Sequence, residues 1–185
     1  MGDLPRERLA AFEPAFTNTA VDYFGPFVVS YGRGRTIKRY GVLFTCLTSR
    51  AVHLDLAQSL STEDFMLAFR RFVAAQRRPS KIFSDNGTNF VGAEKELVAE
   101  VRSLGENPEL HAKCRAEGMD WKFQPPSAPH FGGAHESMVR STKLALYRVL
   151  GLEGASARHP TEEVLRTLLH EVASLLNSRP LTYVS

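Results

Sequence analysis

Only two cysteines occur in the 185 residues, Cys46 and Cys114, far apart and with no Cys-x-x-Cys pair. That excludes a disulfide framework and a cysteine-rich zinc site, and implies reduced thiols. No uncharged apolar run approaches the roughly 20 residues needed to cross a bilayer, so no membrane role is expected. The opening Met1-Gly2-Asp3-Leu4-Pro5-Arg6 lacks the apolar centre of a secretory signal. A soluble, intracellular protein is therefore the expectation. Internal repeats, low-complexity tracts and domain-splitting linkers are also missing. A single domain with one substantial core suits this length. The charge is only mildly one-sided, at +3 with a pI near 9.0, which permits nucleic-acid binding without selecting it.

What is present is a run of strand signals followed by helical ones. Residues 1–18, with Pro5, Pro14 and scattered charges, read as an extended lead-in, and the fold is expected to start near Thr19. Ala20 to Tyr31 is rich in Val, Phe and Tyr. Gly32-Arg33-Gly34-Arg35 supplies a turn, and Tyr40 to Thr45 and Ala51 to Leu56 are two more strand-like runs, giving three antiparallel strands. Ser61 or Thr62 caps a helix whose apolar stripe is Phe65, Phe69, Phe72 and Val73, and Pro79 ends it. Lys81 to Ser84 is a short strand running into the turn Asp85-Asn86-Gly87, followed by helical spacing from Ala93 to Leu104. Residues 105–118 are polar and poorly patterned, Met119 to Phe123 is strand-like, and Pro125 to Gly133 is a loop. Helices from about Ala134 to Leu150 and Thr161 to Leu176 close the chain, the second with Leu165, Leu168, Leu169, Val172, Leu175 and Leu176 on one stripe. The pattern predicts an α/β layered domain.

Three carboxylates stand out. Asp22 interrupts the apolar run Val21-Asp22-Tyr23-Phe24, where burial would need a metal or cation to compensate it, unless it points to solvent from an edge strand. Asp85 is at the carboxyl end of a strand, where ligands of open α/β folds gather; as a plain turn-former it would serve equally well. Glu136 follows Gly132-Gly133 in the first turn of a helix, a position that capping alone explains. At about 100° per residue, Arg140, Lys143 and Tyr147 share its face, whereas Met138, Val139, Thr142, Leu146 and Val149 form the packing face.

The blocks around these residues resemble the signature blocks of retroelement integrases: Val21-Asp22-Tyr23-Phe24-Gly25-Pro26, Ser84-Asp85-Asn86-Gly87-Thr88-Asn89-Phe90, and Phe131-Gly132-Gly133-Ala134-His135-Glu136-Ser137-Met138. The nearest likeness is to the Bel/Pao group of long-terminal-repeat retrotransposons. It extends through Lys38 to Gly41, Ser49 to Leu54 and Asn177 to Thr182, almost the whole chain in order. The resemblance implies a ribonuclease-H-like fold with a five-stranded mixed sheet flanked by helices, and residues 19–185 as the catalytic core. It implies a catalytic and metal-binding triad of Asp22, Asp85 and Glu136 holding two Mg²⁺ or Mn²⁺ ions, to which hard oxygen ligands are suited. Asp22 would be the bridging carboxylate. The implied reactions are 3′ processing of element DNA ends and strand transfer into target DNA. Arg140 and Lys143 match positions that contact the element end, with Asn86, Asn89 and His135 as weaker DNA-contact candidates. Gly132 and Gly133 would hinge a mobile loop.

The sequence departs from the pattern in two places. Fifty residues lie between Asp85 and Glu136, more than in typical retroviral integrases, and His135 stands where relatives often carry Trp. His135 could contact DNA or a metal ligand, or simply cap the helix. His53 and Asp55 form a His-x-Asp pair that suggests a metal ligand set or a structural role. The zinc-binding and small β-barrel domains that flank integrase cores are not in this sequence, which reads as an excised core or a fragment. The expected setting is the nucleus after passage through cytoplasmic particles, with a core homodimer sharing part of the leucine face and a larger assembly in the full-length protein. The competing reading is a domesticated module that binds DNA or protein without catalysis. A ribonuclease H or Holliday-type nuclease is a third, with less support from the motifs.

Overall fold

The computed structural model describes residues 12–84, 103, 106–116, 118–123, 138, 140–142, 144–146, 148 and 159–179. Strands β1 (Asn18–Tyr31), β2 (Arg35–Cys46) and β3 (Val52–Ala57) form an antiparallel meander. Helix α1 (Thr62–Ala75), strand β4 (Lys81–Ser84), helix α2 (Pro108–Ala116), strand β5 (Asp120–Phe123) and helix α3 (Glu162–Asn177) follow. The sheet order is β3-β2-β1-β4-β5, with β4 parallel to β1 and β5 parallel to β4. A mixed α/β sheet flanked by helices is thus the observed architecture, and β1 occupies its centre.

Alternation along β1 feeds two cores. Val21 and Tyr23 point to the side covered by α1 and α2, where Phe44, Phe65, Phe69, Phe72, Ile82, Leu110 and Cys114 are buried. Phe44 and Phe72 stack there at 4.3 Å. Burying each such ring contributes roughly 1.5–3 kcal/mol. Phe24, Phe27 and Val29 point to the other side, against Leu43, Leu54, Leu165, Leu169 and Met138. Phe24 and Phe27 share a face because the register to β2 shifts between them, and this irregularity switches the parity of a 14-residue strand. One long strand thereby serves the same core along its length.

Three local readings are corrected. The stretch from 105 to 118, expected to be poorly patterned, contains α2. Asn107 Oδ1 accepts the Glu109 N–H, Pro108 opens the first turn, and Leu110 and Cys114, four apart, are fully buried. Two apolar residues in nine make too thin a stripe to register as periodicity. The lead-in, given no core residue, buries Phe16 edge-on against Phe72. Leu175, counted in the α3 stripe, is 62% exposed, while Leu165, Leu169 and Val172 carry the packing.

Helix α1 starts as expected, with Ser61 as the N-cap accepting the Asp64 N–H. Asn177, at the end of α3, accepts the Val52 N–H through Oδ1 and donates through Nδ2 to the Val52 carbonyl. It completes the outer edge of β3 as a short strand would. The expected helix from 93 to 104 and the 125–133 loop lie outside the described residues, apart from Ser103, which is helical.

Candidate active site

Asp22 sits mid-sheet rather than on an edge, which removes the edge-strand explanation of its charge. Its Cα partner on β2 is Leu43, and directly opposed residues share a face, so Asp22 lies with Phe24 on the side of the second core. Its side chain is half-buried, and Oδ1 accepts the Tyr23 N–H at 2.8 Å. The described register of β4 ends at Ser84, opposite Val21. A carboxylate is therefore held on a rigid central strand beside the carboxyl end of its parallel neighbour, the location where open α/β sheets gather ligands.

The residue after Ser84 in the sequence is Asp85. Asp85 itself lies outside the described residues, as do Asn86, Asn89, Gly132, Gly133, His135, Glu136, Lys143 and Tyr147. Of the expected site residues, Asp22 and Arg140 are described. Met138, two residues past Glu136, is helical and buried in the same core as Leu43 and Phe24. Thr142 and Leu146 are buried with it, while Arg140, Leu144 and Arg148 are exposed. This division follows the expected packing face, and Arg140 projects from the opposite side.

Arg179 is a contributor that sequence reading did not single out. It donates to Met138 Sδ and to the Arg50 carbonyl, joining helical Met138 to the β2–β3 connection. Burial, then the nearby Arg50 charge, lowers its pKa. A lone arginine in a helix-terminal block offers no periodic signal of such a contact.

His53 and Asp55 resolve into structure. Asp55 is 2% exposed and binds Arg71 Nε at 2.6 Å and Arg166 Nη1 at 3.2 Å, while accepting the Leu56 N–H. Two guanidinium groups, from α1 and α3, hold this carboxylate. His53 packs against Phe44 and Phe72, and its Nε2 has no hydrogen-bond partner among the described residues. Burial lowers its pKa against the opposing pull of Asp55. Tyr23, on the face opposite Asp22, is pushed well up by burial and then by the Asp64 charge, so its phenol stays protonated.

The donor chemistry at Asp22 fits a divalent cation of the Mg²⁺ or Mn²⁺ kind, since a half-buried carboxylate offers hard oxygen. Among the described residues no group of three or more His, Cys, Asp or Glu side chains converges as a metal site. Two of the three expected ligands lie outside that set.

The fold resembles that of retroviral integrase catalytic cores. The HTLV-2 integrase catalytic core domain, solved with magnesium in a dimeric form, superposes with a TM-score of 0.59 at 14% identity, covering 93% of this chain and 92% of that one. The BIV integrase catalytic core gives 0.59 at 13% identity, covering 91% and 88%. A chain of the simian T-cell lymphotropic virus intasome, in complex with a PP2A regulatory subunit, gives 0.61 at 15% identity and covers all of this chain but 63% of that one. No protein-family model and no curated protein sequence matches. At these identities the likeness is one of fold.

Proposed function

We propose that this chain is the catalytic core of a retroelement integrase of Bel/Pao type, a polynucleotidyl transferase acting on DNA ends and target DNA in the nucleus. One observation carries the reading: Asp22 stands half-buried at the centre of an integrase-like sheet, beside the end of β4, one residue before Asp85. Asp22, Asp85 and Glu136 would hold two Mg²⁺ or Mn²⁺ ions. Such ions, when bound, assist the attacking oxygen and the leaving oxygen of an in-line displacement at phosphorus.

The chain's own residues orient the reactants. Pairing with β2 at Leu43 limits movement of Asp22, just past the end of the β4 register, and the Tyr23 N–H fixes one of its oxygens. Arg140 and Lys143 bind phosphates of the element end and align the scissile bond, with Asn86, Asn89 and His135 as further contacts. Gly132 and Gly133 let the preceding loop close on DNA. Water as attacking group gives 3′ processing; a DNA 3′-hydroxyl gives strand transfer. A core homodimer within a larger assembly accompanies the reaction, with the exposed Leu175 and Val164 of α3 available to a second copy.

The test is incubation of the chain with end-labelled duplex DNA and Mn²⁺, beside Glu136→Gln and Asp22→Asn. Metal-dependent nicking or joining is expected in the parent and absent from both variants. Silence of all three with DNA binding retained would favour the non-catalytic module. Cleavage confined to the RNA of a hybrid would favour a ribonuclease.

A further inference from the structure

From Tyr23 to Leu54 the sequence holds no acidic residue, yet it contains Arg33, Arg35, Lys38, Arg39 and Arg50. Four of these five cations lie on the hairpin of β1 and β2. Arg39 is neutralised by Glu162, Nε to Oε2 at 2.7 Å, while Arg33 and Arg35 are exposed at the tip. Tyr31, 59% exposed, lies directly across from Arg35 and on the same face. The hairpin is braced rather than loose: Ser30 donates its N–H to the Pro160 carbonyl and its hydroxyl to the His159 carbonyl, and bridges Thr161. Gly32 and Gly34, both at positive φ, keep the turn tight.

We infer that the tip of this hairpin is a second contact for duplex DNA, in which Arg33 and Arg35 meet backbone phosphates and Tyr31 packs on the sugar-phosphate surface. The inference rests on the reading of the chain as a DNA-acting enzyme and extends its footprint. A rigid cationic arm with an aromatic residue and no nearby acid on its own strands fits a polyanion. Tyr31 lies nine positions along β1 from Asp22, roughly 30 Å at about 3.3 Å per residue. That corresponds to about nine base pairs at 3.4 Å each. DNA engaged at Asp22 and at the tip would be held at two separated points along β1, so the tip sets orientation without reading sequence.

Fluorescence anisotropy with a labelled duplex of about 30 base pairs, titrated with the whole chain at several salt concentrations, tests this. Because each neutralised phosphate contributes about 0.9 to the log–log salt slope, Arg33→Ala with Arg35→Ala should reduce the slope by about 1.8. Affinity should fall about tenfold at low salt, and equally for unrelated sequences. The paired Lys substitutions should restore the slope, while Tyr31→Ala should weaken binding with the slope unchanged. An unaltered slope in the double Ala variant, at an unaltered thermal midpoint, overturns the inference. Metal-dependent nicking by the parent alongside that unaltered slope would sink the hairpin contact alone. A reduced slope in the double Ala variant, with a parent that never nicks, would sink the catalytic reading alone.

Discussion

At the scale of single residues, Asp22 and His53 hold different places. Asp22 lies half-buried on the face of the second core, where its Oδ1 accepts its neighbour's N–H. Asp22→Asn preserves an oxygen acceptor for that N–H but removes the anionic ligand. The expected outcome is a thermal midpoint equal to or slightly above the parent's and loss of metal-dependent nicking; a variant that nicks normally would remove Asp22 from the site. His53 is instead held neutral, its pKa lowered by burial, with His170 and Arg71 adding to the effect and Asp55 opposing it. Its folded pKa lies below the unfolded value of about 6.5, so between the two the unfolded chain binds more protons and stability falls with falling pH. Stability should therefore be insensitive to this group above about pH 6.5 and decline as acidification approaches the folded pKa. His53→Phe, set between Phe44 and Phe72, should flatten that part of the decline in a thermal-melt series from pH 7.5 to 5.

At the scale of elements, β1 and β2 meet at a glycine that only tertiary contact explains. Gly41 is the Cα partner of Phe24, and a Cβ there would run into the Phe24 ring. Gly41→Ala must displace a fully buried ring on Asp22's own face, two residues along. A cost of about 1–3 kcal/mol is expected from overpacking, with a loss of nicking activity beyond that of an equally destabilised variant elsewhere. Denaturant unfolding paired with the nicking assay checks both. Helix α2 owes little to amphipathic pattern and more to its Asn107 cap and the burial of Leu110. Leu110→Ala should cost about 2–5 kcal/mol, measured by the same unfolding experiment, although the helix that carries it is only nine residues long.

At the scale of the whole molecule, Asp55 joins three elements: it is buried on β3 and binds Arg71 of α1 and Arg166 of α3. Arg166 also reaches Glu162, which in turn binds Arg39 of β2. Burial pushes the Glu162 carboxyl upward, but the two guanidinium groups outweigh this and hold it below its ordinary value. Both arginines on Asp55 are partly exposed, so the ordinary scale for charged hydrogen bonds applies rather than that of a sealed ion pair. Asp55→Asn should destabilise the protein by about 2–3 kcal/mol, a fall in thermal midpoint of roughly 4–12 °C for a domain of this size. Loss of nicking with no change in the midpoint would instead indicate a role at the site.

The candidate site is read from local motifs: a carboxylate breaking an apolar strand, another expected at a strand's end, a third expected in the first turn of a helix; of these, Asp22 alone lies among the described residues. Strand and helix positions were legible for the same reason, since the periods of two and 3.6 are properties of the local chain. The folded structure alone decided that β1 is central, that a bulge after Phe24 keeps one face on one core, and that Asp55 serves as an anchor. It also showed that Phe16 and α2 belong to the interior. These are outcomes of pairing between distant segments, set by register and by which apolar faces find each other, and no short window of sequence carries that information. Asp22 was identifiable as a charge out of place; its position between β2 and the end of β4, where a carboxylate can be presented to a ligand, required the sheet.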